Sequence, residues 1–242
     1  MKILKFKYIA LSAILVTSSI HADEFWGLES WVSSLKTPNF EEMTDVKERK
    51  QAFFNYLLPA ISKQNTKIIQ LRHNIITGDI NQLKLAQIYK YYRVEEGNIE
   101  ALLMRVDVVP ASLILAQGAY ESNWGRSRFA KYYHNFFGLW CFKKGCGVVP
   151  LQRNKKATHE VAKFSSLEKS IEYYIRSINR NSAYITLRKI RKNKRDQKQP
   201  ITGIALAEGL ENYAEIGYEY VETVQSIINY NKLSKYDLIN KP

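Results

Sequence analysis

The run Val108-Val109-Pro110-Ala111-Ser112-Leu113-Ile114-Leu115-Ala116-Gln117-Gly118-Ala119-Tyr120-Glu121-Ser122-Asn123-Trp124-Gly125 is apolar for most of its length and then closes on an acid. Pro110 suits a helix start, where its missing N–H is not needed and its φ is already helical. Gly125 suits a left-handed C-terminal position. Glu121 follows Gln117 by one turn and Ile114 by two, so the three share a helix face. A carboxylate at the end of an apolar helix is costly unless it is hydrogen-bonded or opens into a cleft. The end of this helix is therefore the first candidate for a chemically active acid.

Working outward, most of the chain has helical periodicity. Ala52, Phe53, Tyr56, Leu57 and Ala60 repeat at three and four, with a break or kink expected at Pro59. The pattern resumes over 61–76 and stops at Gly78, and Asp79 is the expected N-cap of a helix over 81–93. Short helices are expected over 99–106 and 127–133 on either side of the Pro110 helix. At Asn135 the period changes. Residues 136–142 and 145–151 read as a hairpin around a cysteine tip, and Thr158 to Phe164 alternates as a strand does. Ser166 then caps a helix over 167–179, and helices over 185–195, 201–210 and 220–233 complete the chain. The fold class expected is mainly α with a small β lobe at about 136–164.

The 242 residues are 45% hydrophobic, enough for one sizeable core. Lys2, Lys5 and Lys7, the apolar run from Tyr8 to Val16 and the small residues ending at Ala22 read as a secretory signal peptide over 1–22. The run is well short of the ~20 residues of a membrane span, so no stable span is expected after cleavage. With no cysteine beside the cut, a lipoprotein is not expected either. Removing the leader lowers the formal charge from +13 to +10. In a secreted protein that charge points to anionic envelope polymers before nucleic acid, though a solvated basic surface accounts for any single lysine run. Cys141 and Cys146 are the two cysteines; in an oxidising compartment, with four residues between them, a local disulfide that holds a tip rigid is the reading. With His134 and His159 they do not make the spacing of a zinc motif. No metal or cofactor is expected.

Several motifs in fixed order then add a resemblance: 105–110, the 116–125 segment containing Glu121, Asn135-Phe136-Phe137-Gly138-Leu139-Trp140-Cys141-Phe142, and Gly145-Cys146-Gly147-Val148-Val149-Pro150. In this they resemble the Bax proteins of the peptidoglycan N-acetylglucosaminidase superfamily, glycoside hydrolase family 73, over about residues 80–233. The resemblance implies a lysozyme-like α fold with a β lobe, periplasmic localisation, a glycan-strand substrate, and cleavage of β-1,4 bonds after N-acetylglucosamine. The corresponding division is 1–22 leader, 23–79 N-terminal extension and helices, 80–233 glucosaminidase domain and 234–242 tail. A monomer is expected.

Glu121 matches the family's catalytic acid. A glycosidic oxygen leaves poorly unless protonated, and apolar neighbours such as Leu113, Ile114 and Trp124 would keep the acid's proton on by desolvation. Glu160, in the alternating strand, matches the β-lobe glutamate and is the candidate second carboxylate; an exposed strand glutamate beside lysines is the alternative. Tyr213 matches the tyrosine lining the family's cleft. Asn135, Phe137 and Gly138 match a turn bordering the sugar site, with Phe136 in place of the usual Leu. Trp140 either stacks on a sugar or packs beside the disulfide. Ser122 and Trp124 are expected to fix the helix end. Three functions fit: a glucosaminidase, a lytic transglycosylase of the same fold, and a wall-binding protein without turnover. Gly138-Leu139-Trp140-Cys141 departs from the transglycosylase turn and favours the first.

Overall fold

The computed structural model describes residues 37–150, 158–211 and 217–240. The leader, residues 23–36 of the N-terminal extension and Tyr213 lie outside the described residues. Helix α1 (Val46–Thr77) starts at Asp45, whose side chain accepts from Glu48 N, and ends at left-handed Gly78. It runs unbroken through Pro59. The carbonyl deprived of its helical donor is that of Asn55, an exposed position where solvent replaces the lost bond. Tertiary packing does the rest: Phe53, Leu57, Ala60 and Ile61 are fully buried along the same helix.

Helix α2 (Gln82–Tyr92) is capped by Asn81, which accepts from Lys84 N. The expected cap, Asp79, lies two residues too early, so the start signal was read from the right chemistry at the wrong residue. Helix α3 (Ile99–Arg105) is capped by Asn98. Helix α4 (Ala111–Ser122) follows Pro110 and is buried at every position from Ala111 to Ala119. A helix apolar all round is a core helix; α1, α8 (Gly203–Ala207), α9 (Tyr218–Tyr230) and the C-terminal 3₁₀ segment Leu233–Asn240 pack around it. Asp237 of that last segment accepts from Ser112 N at 2.9 Å, Ser112 Oγ at 2.7 Å and Gly203 N at 3.1 Å, tying the chain end to the start of α4.

Helix α5 (Arg128–Tyr133) precedes the β lobe. The lobe consists of β1 (Trp140–Cys141), β2 (Gly147–Val148) and β3 (Glu160–Ala162), in the antiparallel order β1-β3-β2. The expected β1–β2 hairpin does not form. Instead β3 inserts between them, pairing Trp140 with Val161 and Gly147 with Ala162. Gly147 permits this approach, because a Cβ there would lie 2.0 Å from Val161 O. The alternation read into 158–164 is also not realised: Glu160, Val161 and Ala162 are all buried, as befits a central strand. Helix α6 (Leu167–Arg180) begins at Ser166 as expected, and α7 (Ile185–Asp196) follows a 3₁₀ turn over Ser182–Tyr184.

One buried ionic cluster joins the scaffold. Asp107 receives Arg195 at 2.7 and 3.0 Å, and buried Arg191 donates to the carbonyls of Asp107 and Val108. Burial pushes the Asp107 carboxyl up, but the Arg195 hydrogen bond and the charges of Arg191, Arg195 and Arg72 outweigh it and hold the group below its usual range. No helix among the described residues is long and apolar enough to cross a membrane.

Candidate active site

Helix α4 ends in an unusual backbone path. Asn123, Trp124 and Gly125 take φ values of 50°, 59° and 81°, so three consecutive residues are left-handed. Asn tolerates this conformation and Gly is indifferent to it, but a tryptophan there is strained. Its surroundings impose the path. Trp124 is held edge-on by Phe53 and Phe54 at 5.7 and 5.8 Å, with the Lys50 ammonium 4.6 Å from its ring. A Cβ on Gly125 would lie 2.3 Å from the Phe40 ring. Ser122 Oγ donates to Gly118 O and accepts from Gly125 N at 2.8 Å. Ser122 and Trp124 thus fix the helix end on which Glu121 sits.

The Glu121 carboxyl is half-buried. Tyr220 Oη, from α9, donates to its Oε1 at 2.9 Å. Gln117 Nε2 donates to Tyr220 Oη at 2.9 Å, and Tyr174 Oη of α6 donates to Gln117 Oε1. Each donor in this chain points toward Glu121, so the bonds polarise one another in the same sense. The shared face of Gln117 and Glu121, read from spacing alone, is therefore physically realised: one buried residue orients the phenol that holds the other. Burial raises the Glu121 carboxyl above its ordinary range, and the Tyr220 hydrogen bond opposes that rise without cancelling it. Burial and the Glu121 charge together push the phenols of Tyr174 and Tyr184 up. Tyr174 therefore stays a protonated donor to Gln117 at neutral pH.

The second carboxyl oxygen faces the β lobe. Gly138 sits at φ 61°, and a Cβ there would lie 3.4 Å from Glu121 Oε2. With Oε1 occupied by Tyr220, a protonated Glu121 presents its acidic O–H from Oε2, beside the exposed Gly138 turn. Asn135 builds that turn. Its Oδ1 accepts from Leu139 N at 2.9 Å, and its Nδ2 donates to Leu139 O at 2.9 Å and Ala162 O at 2.8 Å. Its polar atoms are thus committed to backbone. Phe137 is buried, stacked on Tyr174 at 4.3 Å and pressed against α4, where a Cβ on Gly118 would lie 3.2 Å from its ring. The small residue at Gly118 makes room for the turn. Of the three residues matched to the turn at the sugar site, then, Asn135 and Phe137 lie inside and Gly138 reaches the surface, as does Trp140, the candidate stacking residue. Trp140 is 52% exposed and stacks on His159 at 3.9 Å with nearly parallel rings.

Glu160 is turned into the lobe rather than left on an exposed strand face. Its Oε1 accepts from Gly145 N at 3.0 Å and its Oε2 from Gly147 N at 2.8 Å. These donors flank Cys146, which is bonded to Cys141 as expected. Cys141, Cys146 and Glu160 bring sulfur and carboxylate within 4.8 Å of one another, but the sulfurs share a covalent bond and the carboxylate is engaged by backbone. Tyr174 and Tyr220 carry no functional signal in the sequence, because a buried tyrosine is ordinarily core. One clue was available: Gln117 is a polar residue buried mid-helix, and such a group needs partners.

Comparison with known proteins supplies the family. The glucosaminidase family model, described as mannosyl-glycoprotein endo-beta-N-acetylglucosaminidase, matches residues 98–233. The chain belongs to the glucosaminidase family. The match contains α4, the β lobe, α6 and all of α9, and so every described residue of the Glu121 network. The chain is 30% identical to Protein bax of Escherichia coli (strain K12) over 200 residues, covering 77% of this chain and 71% of that protein. It is also similar to the crystal structure of the catalytic domain of the autolysin Auto from Listeria monocytogenes. That match covers 90% of this chain and 98% of that one, at 18% identity and a TM-score of 0.48.

Proposed function

We propose that this glucosaminidase hydrolyses the β-1,4 bond after N-acetylglucosamine in peptidoglycan glycan strands, with Glu121 as general acid. The observation that carries the reading is the half-buried Glu121 carboxyl, raised by desolvation and anchored, among the described residues, by Tyr220 at Oε1. A general acid must hold its proton near neutral pH and present it to the leaving oxygen. In the proposed reaction Oε2 delivers its proton to the glycosidic oxygen as the C1–O bond breaks. The oxocarbenium-like carbon is then captured by water or by the substrate's own 2-acetamido oxygen. On the acetamido route water then opens the oxazolinium ring at C1, and on either route the surplus proton of that water passes to the Glu121 carboxylate or to solvent, which restores the acid.

Glu160, with both oxygens engaged by the disulfide loop, acts in this reading as a positioning residue that sets the lobe against the cleft. Tyr213 keeps the role the resemblance gives it, orienting the acetamido group or water. Trp140 offers a sugar platform on the lobe, and Gly138 keeps the space before Oε2 open. A signal-like leader and a disulfide support a location outside the cytoplasm, in the periplasm. The test is Glu121→Gln, which keeps shape and removes the proton donor. Clearing of purified peptidoglycan should fall by ~10²–10⁴-fold with an unchanged thermal transition. Unchanged clearing rules out Glu121 as the acid. Reducing N-acetylglucosamine ends in the digest are expected, and anhydro ends would identify a transglycosylase instead. A wild-type chain that pellets with wall and never cuts it would be a binding protein.

A further inference from the structure

Helix α4 is buried at every position from Ala111 to Ala119, and the first side chain it gives to solvent is aromatic. Tyr120, directly before the acid, is 44% exposed. Its ring meets that of Tyr220 edge to face, with centroids 5.4 Å apart and an interplanar angle of 82°. Tyr220 is itself fully buried and reaches Glu121 Oε1 at 2.9 Å. One buried phenol is thus all that stands between the open Tyr120 ring and the carboxyl.

The helical period fixes the side of the acid on which this ring lies. At ~100° per residue, Gly118 stands ~60° to one side of Glu121 and Tyr120 ~100° to the other. The Gly118 side faces the lobe: a Cβ there would lie 3.2 Å from the Phe137 ring, and from Gly138 the chain runs on into β1 with Trp140. The Tyr120 side faces α9, against Tyr220. An exposed aromatic residue therefore flanks Glu121 on each side, Trp140 from the lobe and Tyr120 from α4 itself. A pyranose has one face of C–H groups that packs on a flat ring, and a tyrosine adds a polar tip for the sugar hydroxyls. A strand held from the lobe alone could pivot about that contact. A second hold beyond the acid keeps the glycosidic oxygen against Oε2, which is the geometry proton transfer needs.

We propose that Tyr120 is a second sugar platform, stacking on the saccharide that lies on the α9 side of the scissile bond. The proposal rests on the reading of the substrate as a glycan strand. The competing role for Tyr120 is purely structural, a cover that keeps water from the Tyr220–Glu121 hydrogen bond. The two roles differ in what they ask of the side chain: a cover needs only apolar bulk, whereas a platform needs a flat ring.

The test is calorimetric titration of the full chain carrying Glu121→Gln with a peptide-free tetrasaccharide of the glycan strand. Adding Tyr120→Leu keeps apolar bulk over Tyr220 and removes the ring; it should weaken binding roughly three- to tenfold. Tyr120→Phe keeps the ring and should stay within about twofold of the parent. In the chain with Glu121 intact, Tyr120→Leu should raise KM by the same factor on peptide-free strands, with the alkaline limb of the activity profile and the thermal transition unmoved. Equal binding by the Leu variant, or a Phe variant as weak as the Leu one, overturns the proposal. So does a moved alkaline limb, which would show that Tyr120 acts through Tyr220. The titration needs no turnover. Ring-dependent binding by a chain that never cleaves strands would refute the hydrolase reading alone, and cleavage that Tyr120→Leu leaves unaltered would refute the platform alone.

Discussion

Tyr220→Phe removes one O–H from the site and little else, and its consequence follows from the geometry. The lost bond is the donation to Glu121 Oε1 at 2.9 Å, the group that opposes the desolvation of that carboxyl. A hydrogen bond to a charged partner is worth ~1.5–3 kcal/mol, and each pH unit corresponds to ~1.4 kcal/mol. Removing it should therefore move the ionisation of Glu121 upward by ~1–2 pH units. Because the acid works protonated, the alkaline limb of the activity profile should move to higher pH by the same amount. The same substitution leaves Gln117 Nε2 without its acceptor in a buried site, costing ~1–3 kcal/mol of stability, or roughly 2–12 °C in Tm for a chain of this size. The stability contribution of Glu121 runs with the same sign. Its folded pKa lies above its unfolded one, so its contribution is complete below the unfolded value and is lost as pH rises through the folded value. The assay is the rate of peptidoglycan clearing between about pH 4 and pH 9, spanning the carboxyl range, with melting curves on the same samples. A lower rate at every pH with an unmoved limb would mean that Tyr220 only packs. A limb moved toward acid would refute the polarity assigned to the Tyr174–Gln117–Tyr220 chain.

Three further outcomes are expected. Gly138→Ala forces φ 61° on an L-residue and sets a methyl 3.4 Å from Glu121 Oε2; clearing should fall and the chain lose ~1–2 kcal/mol, and equal clearing would show that this side of the acid is not where substrate approaches. Glu160→Gln leaves one of Gly145 N and Gly147 N without an acceptor, at ~1–3 kcal/mol, and reducing the disulfide releases a short loop worth ~2 kcal/mol. Both should speed proteolysis at Lys143 and Lys144, and a tip equally resistant after either change would refute the positioning role. Asp107→Ala strands buried Arg191 without its carboxylate, at ~3–5 kcal/mol and a Tm loss on the order of 10 °C. In the wild type, where the folded pKa of Asp107 is depressed, this contribution is complete above the unfolded value of 3.8 and lost as pH falls through the folded one; calorimetry from neutral to acid pH checks both.

Local chemistry made much of this architecture legible. Ser166 before a periodic run starts α6 because a hydroxyl can accept from the third N–H of a helix wherever that helix later packs. The mostly apolar run before Glu121 marks α4 as the core helix for an equally local reason. Pro59 does not break α1, because a break depends on whether the orphaned carbonyl has somewhere to go, and Asn55 is exposed. The lobe misled because strand order is a non-local choice: the 140–148 segment looks like a hairpin until β3 arrives between its arms.

What the sequence determined by itself is the helix ending in an acid, the two cysteines close enough to pair, and Gln117 one turn before Glu121. These are matters of spacing along one chain. Only the tertiary structure decided what surrounds the acid. Tyr174 and Tyr220 stand 57 and 103 residues from Gln117, and no periodicity connects them. Glu160 likewise became the anchor of the disulfide loop through two backbone N–H groups that only the folded lobe brings to it. Desolvation and hydrogen bonding set the proton affinity of Glu121, and both are properties of what packs against a residue rather than of its neighbours in sequence.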